Sequence, residues 1–380
     1  MDETGPEQSR RGVLRAIGGG VGVAMAGNGI AGSALGQTTT GNGGGSDNTS
    51  KLVFTYDDSP AEDVTKTLPI HQEEGVPASI GAVSSHINHS EEWLSGQQLQ
   101  KLESEGWEIM SHTAEHRALD EIEVTRDVAP GDTKLYVESN IHSRTPDPIL
   151  ISDGETETTA TIVDGGEDAN GEYLELESSV GQSFSASDGV TERFTDEVLR
   201  SALENSKTAL EQYGVTVSNL VLPYDRYGER AKELIPEYYD AVPNADYGGV
   251  NHVDDLDPYE MERKYFAMGR SGVTELGDFM DTVADENAIG ILAGHSQSEE
   301  LTPDRIRLAI RMAKERDIEI VTLREALQDA GVVDESNTST SESTGPSGDD
   351  STGSSDSSGG FFDSLAQTIS NIIDSVLSVF

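Results

Sequence analysis

The sequence predicts an α/β fold, a parallel sheet or barrel that is interrupted by a small all-β insert. Two observations lead to this fold class. Short apolar runs at 52–56, 78–83 and 107–110 alternate with segments of helical period, and strands that alternate with helices are typical of a parallel sheet. The alternation stops near Ile122 and resumes at Thr195 as though nothing had intervened. One α/β domain with an inserted segment is the simplest account.

Composition narrows the classes of protein to which the chain can belong. In 380 residues, 70 acidic side chains face 25 basic ones, a formal net charge of −45. Such a charge would repel nucleic-acid phosphates, so no nucleic-acid partner is expected. The acids are spread along the whole chain, which suits a protein that stays hydrated at very high salt and predicts a halophilic source. The absence of cysteine excludes disulfides, thiolate catalysis and Cys-ligated zinc.

The N-terminus has the pattern of an export signal. Arg10 and Arg11 precede a charge-free run rich in glycine, alanine and valine that extends from Ala16 to Gly36. Paired arginines before a weakly apolar segment predict a twin-arginine signal peptide over 1–36, with cleavage before Gln37. The alternative is a membrane anchor, but so many glycines make a poor spanning helix. We therefore expect a secreted or cell-surface protein.

Both ends of the predicted α/β domain border linkers. Residues 37–50 and 332–360 are rich in small and polar residues and carry no apolar period. The last segment, 361–380, places its apolar side chains on one helical stripe and predicts an amphipathic helix. It could dock on a membrane surface or an envelope protein, or fold back onto its own domain.

The first part of the α/β domain, 51–121, supplies three strands and two helices. Helical candidates lie near 61–74 and 95–105, and Ser95 is the expected N-cap of the second. From 122 to 193 the helical period disappears, and short alternating segments separated by Pro-Gly-Asp, Asp-Gly and Gly-Gly turns predict four to six strands. This is the inserted β domain.

The second part of the α/β domain, 194–331, begins with a helix that runs from the N-cap Thr195 to about Tyr213. The pattern then predicts strands and helices in alternation; they are the strand 220–224, a helix at 229–240, the strand 265–268, a helix at 275–286, the strand 288–292, a helix at 303–317, the strand 318–323 and a short helix closing at Gly331.

The strand ends carry a candidate metal site. Asp58 follows the strand 52–56, and His112 follows the strand 107–110, with His116 four residues further on. Carboxyl ends of neighbouring parallel strands converge in space, so these three side chains can meet although they are distant in sequence. Two imidazoles and a carboxylate leave one position open on a divalent cation, as catalysis requires. The alternatives are an ordinary pair of surface histidines and, for Asp57-Asp58-Ser59-Pro60, a capped turn.

Four short motifs resemble, in residue type and in order, those of the polysaccharide deacetylases, also called the NodB homology domain or carbohydrate esterase family 4. The motifs are Thr55-Tyr56-Asp57-Asp58-Ser59, His112-Thr113-Ala114-Glu115-His116, Leu222-Pro223-Tyr224 and Leu292-Ala293-Gly294-His295. The resemblance implies a distorted (β/α) barrel of NodB-homology type and removal of acetyl groups from N-acetylated sugars by a divalent metal, most often Zn²⁺. Asp58, His112 and His116 would then hold the metal, and the chain would be a secreted, haloarchaeal-type member of the family with a β insert.

The same resemblance assigns the catalytic groups. Asp57 would be the general base and His295 the general acid, while the backbone N–H of Tyr224 would help to stabilise the oxyanion. These assignments are chemically sensible, because amide hydrolysis needs a base for the attacking water, donors for the oxyanion and an acid for the leaving amine. For His295 the alternative is a polar residue that merely flanks a helix.

Two positions depart from the family pattern. Ser59 stands where the family usually has glycine. Val221 stands where an arginine commonly orients the catalytic base, two residues before the proline of the third motif. Arg270, after the predicted strand 265–268, is our candidate for supplying that charge from another strand. Without such a replacement Asp57 would be poorly held.

Two functions follow from these observations. The first is an exported metal-dependent deacetylase that acts on an N-acetylated glycan. The second is a catalytically weak or inactive envelope- or glycan-binding protein that retains the deacetylase fold, which the departure at Val221 would favour. Because the insert begins soon after His116, we expect it to border the substrate groove.

Overall fold

The structure, a computed structural model, describes residues 50–333. The predicted signal peptide and the amphipathic helix 361–380 lie outside these residues, as do nearly all of both linkers. Within 50–333, no helix has the length and apolar character needed to cross a bilayer.

Strands and helices alternate in the α/β part and give way to strands alone in the middle of the chain. In chain order the strands are β1 Lys51–Tyr56, β2 Ser79–Ala82, β3 Glu108–Ser111, β4 Ile122–Glu123, β5 Lys134–Tyr136, β6 Pro148–Ser152, β7 Glu157–Asp168, β8 Gly171–Leu176, β9 Thr191–Phe194, β10 Asp246–Tyr247, β11 Glu262–Tyr265, β12 Ile289–Gly294 and β13 Glu319–Val321. The α-helices are α1 Leu68–Glu74, α2 Gly96–Ser104, α3 Asp196–Glu211, α4 Glu229–Leu234, α5 Val273–Glu286, α6 Pro303–Lys314 and α7 Leu323–Asp329.

The parallel sheet is built around β1, which is buried along its whole length. One edge of β1 pairs with β12 over all six residues, and the other edge pairs with β13 in its first half and with β2 in its second half. The path then continues from β2 to β3 and from β12 to β11 and β10, always in parallel. The carboxyl ends of these strands therefore lie at one end of the sheet.

The sheet curves toward closure through short bridges instead of regular strands. Ser111 at the end of β3 bridges to Leu220, and the adjacent Asn219 bridges to Ala241, both in parallel. The predicted strand at 220–224 is thus reduced to these bridges, although its residues occupy the expected place beside β3. This arrangement confirms the predicted distorted (β/α) barrel.

The second sheet lies where the sequence predicts the all-β insert. It is antiparallel, has the order β4-β9-β6-β7-β8-β5, and shows a register shift between Ile162 and Asp164 in β7. Its buried residues, among them Ile149 and Phe194, belong to the same apolar cluster as β1 and α3 of the barrel. The insert therefore shares a core with the barrel at its root.

Both predicted N-caps, Ser95 and Thr195, are the observed N-cap residues, and one helix start differs from its prediction. Ser95 caps α2 with a complete capping box, in which its hydroxyl accepts from the backbone N–H of Gln98. Thr195 is the N-cap of α3 by position, but its side chain makes no capping hydrogen bond. The helix expected at 61–74 begins as a π-helical turn, Asp63–Thr67, before α1. Such turns are often found next to functional sites.

A buried charge cluster ties the insert to the barrel. His142 is fully buried, and its ring nitrogens lie 2.9 Å from Glu192 Oε1 and 3.0 Å from Asp120 Oδ1. Arg226 completes the cluster through an ion pair with Asp120 at 2.5 Å. Burial alone would lower the pKa of His142, but the two carboxylates outweigh it and raise this pKa to about 9.

This raised pKa makes stability depend on pH in a defined window. The folded protein holds the imidazolium more tightly than the unfolded chain, whose histidine titrates near 6.5. The stabilisation is therefore complete below pH 6.5 and is lost as the pH rises through 9. We expect the thermal midpoint to fall between pH 6.5 and 9.5, by an amount that corresponds to at most about 3 kcal/mol.

His142→Gln should remove this fall, and His252→Gln should preserve it, because His252 is half exposed and lies outside the cluster. Thermal unfolding followed by circular dichroism at constant salt measures both. Equal pH profiles for His142→Gln and the natural protein would contradict the assignment.

Candidate active site

The site forms where β1, β3 and β12 end. Beyond β1, the backbone N–H of Asp57 still donates to Gly294 O of β12 at 3.1 Å, so the parallel pairing extends to Asp57. His295 follows Gly294 directly. Beyond β3, the N–H of His112 donates to Ala82 O of β2 at 2.9 Å. The strand register thereby brings residues from distant parts of the chain to one place.

Asp58, His112 and His116 form a cluster that could hold a metal ion. The Nε2 atoms of His112 and His116 lie 3.4 and 3.1 Å from Asp58 Oδ1, and one ligand atom of each residue lies within 4.8 Å of the others. Asp58 Oδ1 is buried and accepts no well-directed hydrogen bond. Two imidazole nitrogens and one carboxylate oxygen that converge in this way fit a divalent cation such as zinc, with a position left open.

Neighbouring groups orient both imidazoles. Nδ1 of His112 lies 2.9 Å from the carbonyl oxygen of Val221, which can only accept, so Nδ1 carries the proton and Nε2 is free to bind a metal. Nδ1 of His116 lies 3.0 Å from the hydroxyl of Tyr224. Support of this kind for the second ring nitrogen is usual for metal-binding histidines.

The backbone between the two histidines is not helical. Thr113 and His116 have φ values of 60° and 55°, in the left-handed region. Thr113 stabilises this bend, because its hydroxyl accepts from the backbone N–H of Arg117 at 2.8 Å. The ring centroids of the two histidines lie 4.8 Å apart, so a tight bend brings the imidazoles together.

The Asp58–Ser59 turn is also left-handed, with φ values of 79° and 59°. Glycine adopts this conformation without steric cost, which accounts for its usual presence at the position of Ser59 in the family. Ser59 tolerates the conformation while its hydroxyl donates to Asp58 O at 2.5 Å. The departure at Ser59 therefore leaves the turn in place.

A buried arginine holds Asp57, and it is Arg263 on β11. Its Nη2 lies 2.8 Å from Asp57 Oδ2 and 2.6 Å from Asp225 Oδ1, and its side chain is 1% exposed. Tyr265 donates its hydroxyl to Asp225 Oδ2, and Asn244 donates to Asp225 Oδ1, which fixes the second carboxylate. The guanidinium that contacts Asp57 therefore comes from β11, and not from position 221, where this chain has valine.

Arg270, our candidate for this contact, does not make it. Its guanidinium lies 5.8 Å from the ring centroid of Tyr265 at the protein surface. The physical reason is the position of β11, which ends at Tyr265 instead of spanning 265–268. Arg263 and Tyr265 stand two residues apart on this strand and so share one face, whereas Arg270 lies beyond the strand in a loop.

The electrostatics of the two aspartates follow from this packing. Burial by itself would raise the pKa of Asp57, but the charge of Arg263, together with His112 and His295, outweighs it and lowers the pKa. Burial opposes the charge of Asp58 as well, yet the adjacent imidazoles of His112 and His116 hold its pKa well below the usual range. Both carboxyls are therefore ionised in the folded protein.

His295 and Tyr224 lie on either side of the cluster. His295 Nε2 is 3.6 Å from Asp58 Oδ2, and the ring stacks parallel to that of Tyr265 with centroids 6.0 Å apart. With 37% of its side chain exposed, His295 can reach a ligand from solvent. Tyr224 has a φ of 60° and packs its ring on His116.

Hydrogen bonds from Lys66 and Gln297 hold the loop that follows His295. Lys66, in the π-helical turn, donates to the carbonyl oxygens of Ser296 and Ser298 at 2.7 and 3.0 Å. Gln297 reaches back to donate to Asp58 Oδ2 at 3.0 Å. The sequence alone did not single out either anchor.

The fold and site together define a distorted α/β barrel with a candidate metal cluster at the carboxyl ends of its strands. Residues 44–143 match the family model described as "Polysaccharide deacetylase", and this match confirms the resemblance predicted from the motifs. Among curated proteins none matches the chain.

Several solved structures are similar to the chain at low identity. A family 4 acetyl xylan esterase from Clostridium thermocellum is 15% identical, with a TM-score of 0.41, over 74% of this chain and 92% of that one. The catalytic domain of a peptidoglycan N-acetylglucosamine deacetylase from Eubacterium rectale is 9% identical, with a TM-score of 0.39, over 73% and 90%. A family pseudoenzyme from Bacillus anthracis has the same identity and TM-score over 73% and 65%. Likeness at this level carries no activity over to the chain.

The Arg263 contact makes a prediction about stability. Arg263→Ala should lower the free energy of unfolding by about 3–5 kcal/mol, because it leaves Asp57 and Asp225 buried without their counter-charge. Arg270→Ala should change it by less than about 0.5 kcal/mol, since that side chain is exposed. Denaturant unfolding of both variants at one salt concentration makes the comparison. A larger loss for Arg270→Ala than for Arg263→Ala would contradict the assignment.

Proposed function

We propose that the chain is a metal-dependent hydrolase that removes acetyl groups from N-acetylated sugars of a polysaccharide or surface glycan. One observation carries the proposal: Asp57, buried and fixed by Arg263, lies directly beside the cluster of Asp58, His112 and His116. The family match over 44–143 supports the same reaction class.

Asp58, His112 and His116 would hold the cation. When bound there, a divalent cation such as Zn²⁺ supplies Lewis-acid chemistry to an amide carbonyl and makes a nearby water easier to deprotonate. The carbonyl of Val221 and the hydroxyl of Tyr224 keep both imidazoles in place, so these ligands need little reorganisation when a metal binds.

Asp57 serves as the general base. Arg263 occupies Asp57 Oδ2, whereas Asp57 Oδ1 is buried and without a hydrogen-bond partner, so this oxygen is available to accept a proton from water. The lowered pKa keeps Asp57 ionised, in the form that a base requires. Arg263 therefore acts as a positioning residue that holds the base ionised and correctly oriented.

His295 completes the reaction as the general acid. Its partial exposure and its stacking on Tyr265 let it deliver a proton to the leaving amine from the open side of the site. The left-handed backbone at Tyr224 presents its N–H as a candidate donor to the developing oxyanion. Base, acid and oxyanion donor are then three different residues.

The alternative, a glycan-binding protein without catalysis, rests on the missing arginine at Val221. The absence of an arginine at position 221 no longer favours this alternative, because Arg263 on β11 supplies a buried guanidinium to Asp57. The hydrolase is therefore the function that the geometry supports best. Export by the twin-arginine route, with a glycan substrate outside the cell, remains part of this proposal.

A cavity supports the expectation that the insert borders the substrate groove. It measures about 710 Å³ and lies between the loop of His116, the insert and α3. Ala114 and Glu115, in the loop of His116, line one side of the cavity, and Asp147 and Thr159 of the insert line another. A glycan chain that extends from the site toward this cavity would touch both parts of the protein.

Metal binding is the first test. His112→Ala should weaken zinc binding by more than about hundredfold, because loss of a ligand should exceed the 10–100-fold cost of losing an outer-sphere partner. His89→Ala is the matched control, since His89 is an exposed histidine outside the cluster. Competition with a chromogenic chelator measures both variants. Equal zinc affinity for the two would contradict the assigned ligand set.

Catalysis is the second test. Asp57→Asn keeps the shape of the side chain but removes the base, so we expect zinc binding to persist while kcat for acetate release falls by about 10²–10⁴-fold. The substrate is an N-acetylglucosamine oligosaccharide in molar salt, with added zinc and, separately, with a chelator. Full activity of Asp57→Asn, or activity that is insensitive to the chelator, would contradict the mechanism.

A further inference from the structure

Two arginines at the rim of the site, Arg144 and Arg270, are exposed and form no ion pair with any carboxylate of the described residues. They belong to a minority, because only seven of the 22 arginines and lysines in residues 50–333 form no ion pair, in a chain with 70 acidic and 25 basic residues. Most of the described arginines and lysines pair with a carboxylate; Arg200 with Glu237 and Arg316 with Asp281 are examples.

Arg144 comes from the insert. Its Nη1 donates to the hydroxyl of Tyr224 at 3.3 Å, and its guanidinium lies 5.3 Å from the centroid of that ring. The same hydroxyl contacts His116. The carboxylate of Glu115, the residue before His116, pairs with Arg117 at 2.5 Å. Arg144 of the insert and the candidate metal ligand His116 therefore contact the same hydroxyl, that of Tyr224.

Arg270 comes from the loop after β11. Its guanidinium lies 5.8 Å from the ring centroid of Tyr265, and this ring stacks on His295. Tyr247, 43% exposed, stacks on Tyr265 as well, with centroids 5.7 Å apart. Arg270 is therefore one tyrosine ring away from the candidate general acid, beside an open aromatic surface.

We propose that the two arginines select an acidic glycan, in which sugar units that carry carboxylate or another anionic group flank the N-acetylated unit. This inference rests on the proposed function and names its substrate class. A planar guanidinium binds a carboxylate through two parallel hydrogen bonds, which gives it both strength and direction. A neutral glycan would leave both charges unused.

The net charge of the protein does not oppose this selection at high salt. The Debye length is about 3 Å at 1 M ionic strength, so repulsion from distant carboxylates is screened while direct contacts with Arg144 and Arg270 persist. Below about 0.1 M salt, where the Debye length exceeds 10 Å, binding of an acidic glycan should weaken.

The test compares two matched substrates on the full-length, zinc-loaded protein. One is a hyaluronan oligosaccharide, in which N-acetylglucosamine alternates with glucuronate, and the other is the same oligosaccharide with its carboxyl groups reduced to alcohols. We expect kcat/KM for the acidic form to exceed that for the reduced form by about tenfold or more, as charged hydrogen bonds imply. Arg144→Gln and Arg270→Gln should each lower this ratio severalfold, mainly through KM, and Arg144→Lys should retain part of it.

Arg126→Gln is the matched control. Arg126 is also an exposed arginine of the insert without an ion pair, and it lies 5.3 Å from the ring centroid of Tyr136, the same distance as Arg144 from Tyr224. It contacts neither His116 nor Tyr224. The ratio for Arg126→Gln should equal that of the natural protein.

Binding separates failure of this inference from failure of the proposed function. If neither oligosaccharide releases acetate, calorimetric titration with the same two oligosaccharides, with and without zinc, decides. Tighter binding of the acidic form that is lost in Arg144→Gln and Arg270→Gln would uphold acidic selection without deacetylation. Equal turnover or binding of the two forms, or an equal effect of all three glutamine variants, would overturn it.

Discussion

The parallel pairing of β1 with its neighbours is the constraint on which the site depends. β12 follows β1 for six residues on one edge, and the pairing continues into the backbone of Asp57. On the other edge β2 connects β1 to β3. Because side chains alternate along a strand, a slip of one residue would turn Asp57, His112 or His295 away from the others. The buried apolar side chains of β1 fix this register and thereby fix the site.

A second constraint is electrostatic. Asp57, Arg263 and Asp225 are all buried, and each would be costly to bury without the others. Their mutual contacts hold the candidate base in one orientation and keep it ionised. The guanidinium can come from β11 because β11 pairs with β12, which pairs with β1. Only β12 lies between the strand of Arg263 and the strand that leads to Asp57. Loss of an arginine at Val221 is compatible with an intact base for this reason.

The sequence predicts the fold class, the insert and the residues of the candidate metal cluster, because each rests on a local signal. Strands and helices have periods that can be read along the chain, and strand ends converge by geometry. Asp57, Asp58, His112 and His116 stand directly at such ends. Arg263 cannot be predicted this way, because the apolar run indicates a strand at 265–268, three residues later than β11. A buried charge inside a strand also has no local pattern.

Loop conformations were equally beyond the local signals. Thr113 and His116, which bring the two imidazoles together, both have a positive φ. Thr113 is β-branched and adopts this conformation only rarely, so its local sequence does not predict the bend. The contact of Arg144 with Tyr224 joins the insert to the barrel across 80 residues of sequence. Only the packing of the insert against the barrel determines such a contact, and periodicity carries no information about it.

The most direct test of the central claim is X-ray absorption at the zinc edge of the full-length protein loaded with one equivalent of zinc. We expect two imidazole nitrogens and one carboxylate oxygen at about 2.0–2.2 Å from the zinc, together with an exchangeable fourth ligand. His116→Ala should reduce the imidazole count by one. A spectrum with oxygen ligands alone, or one that His116→Ala leaves unchanged, would contradict the account.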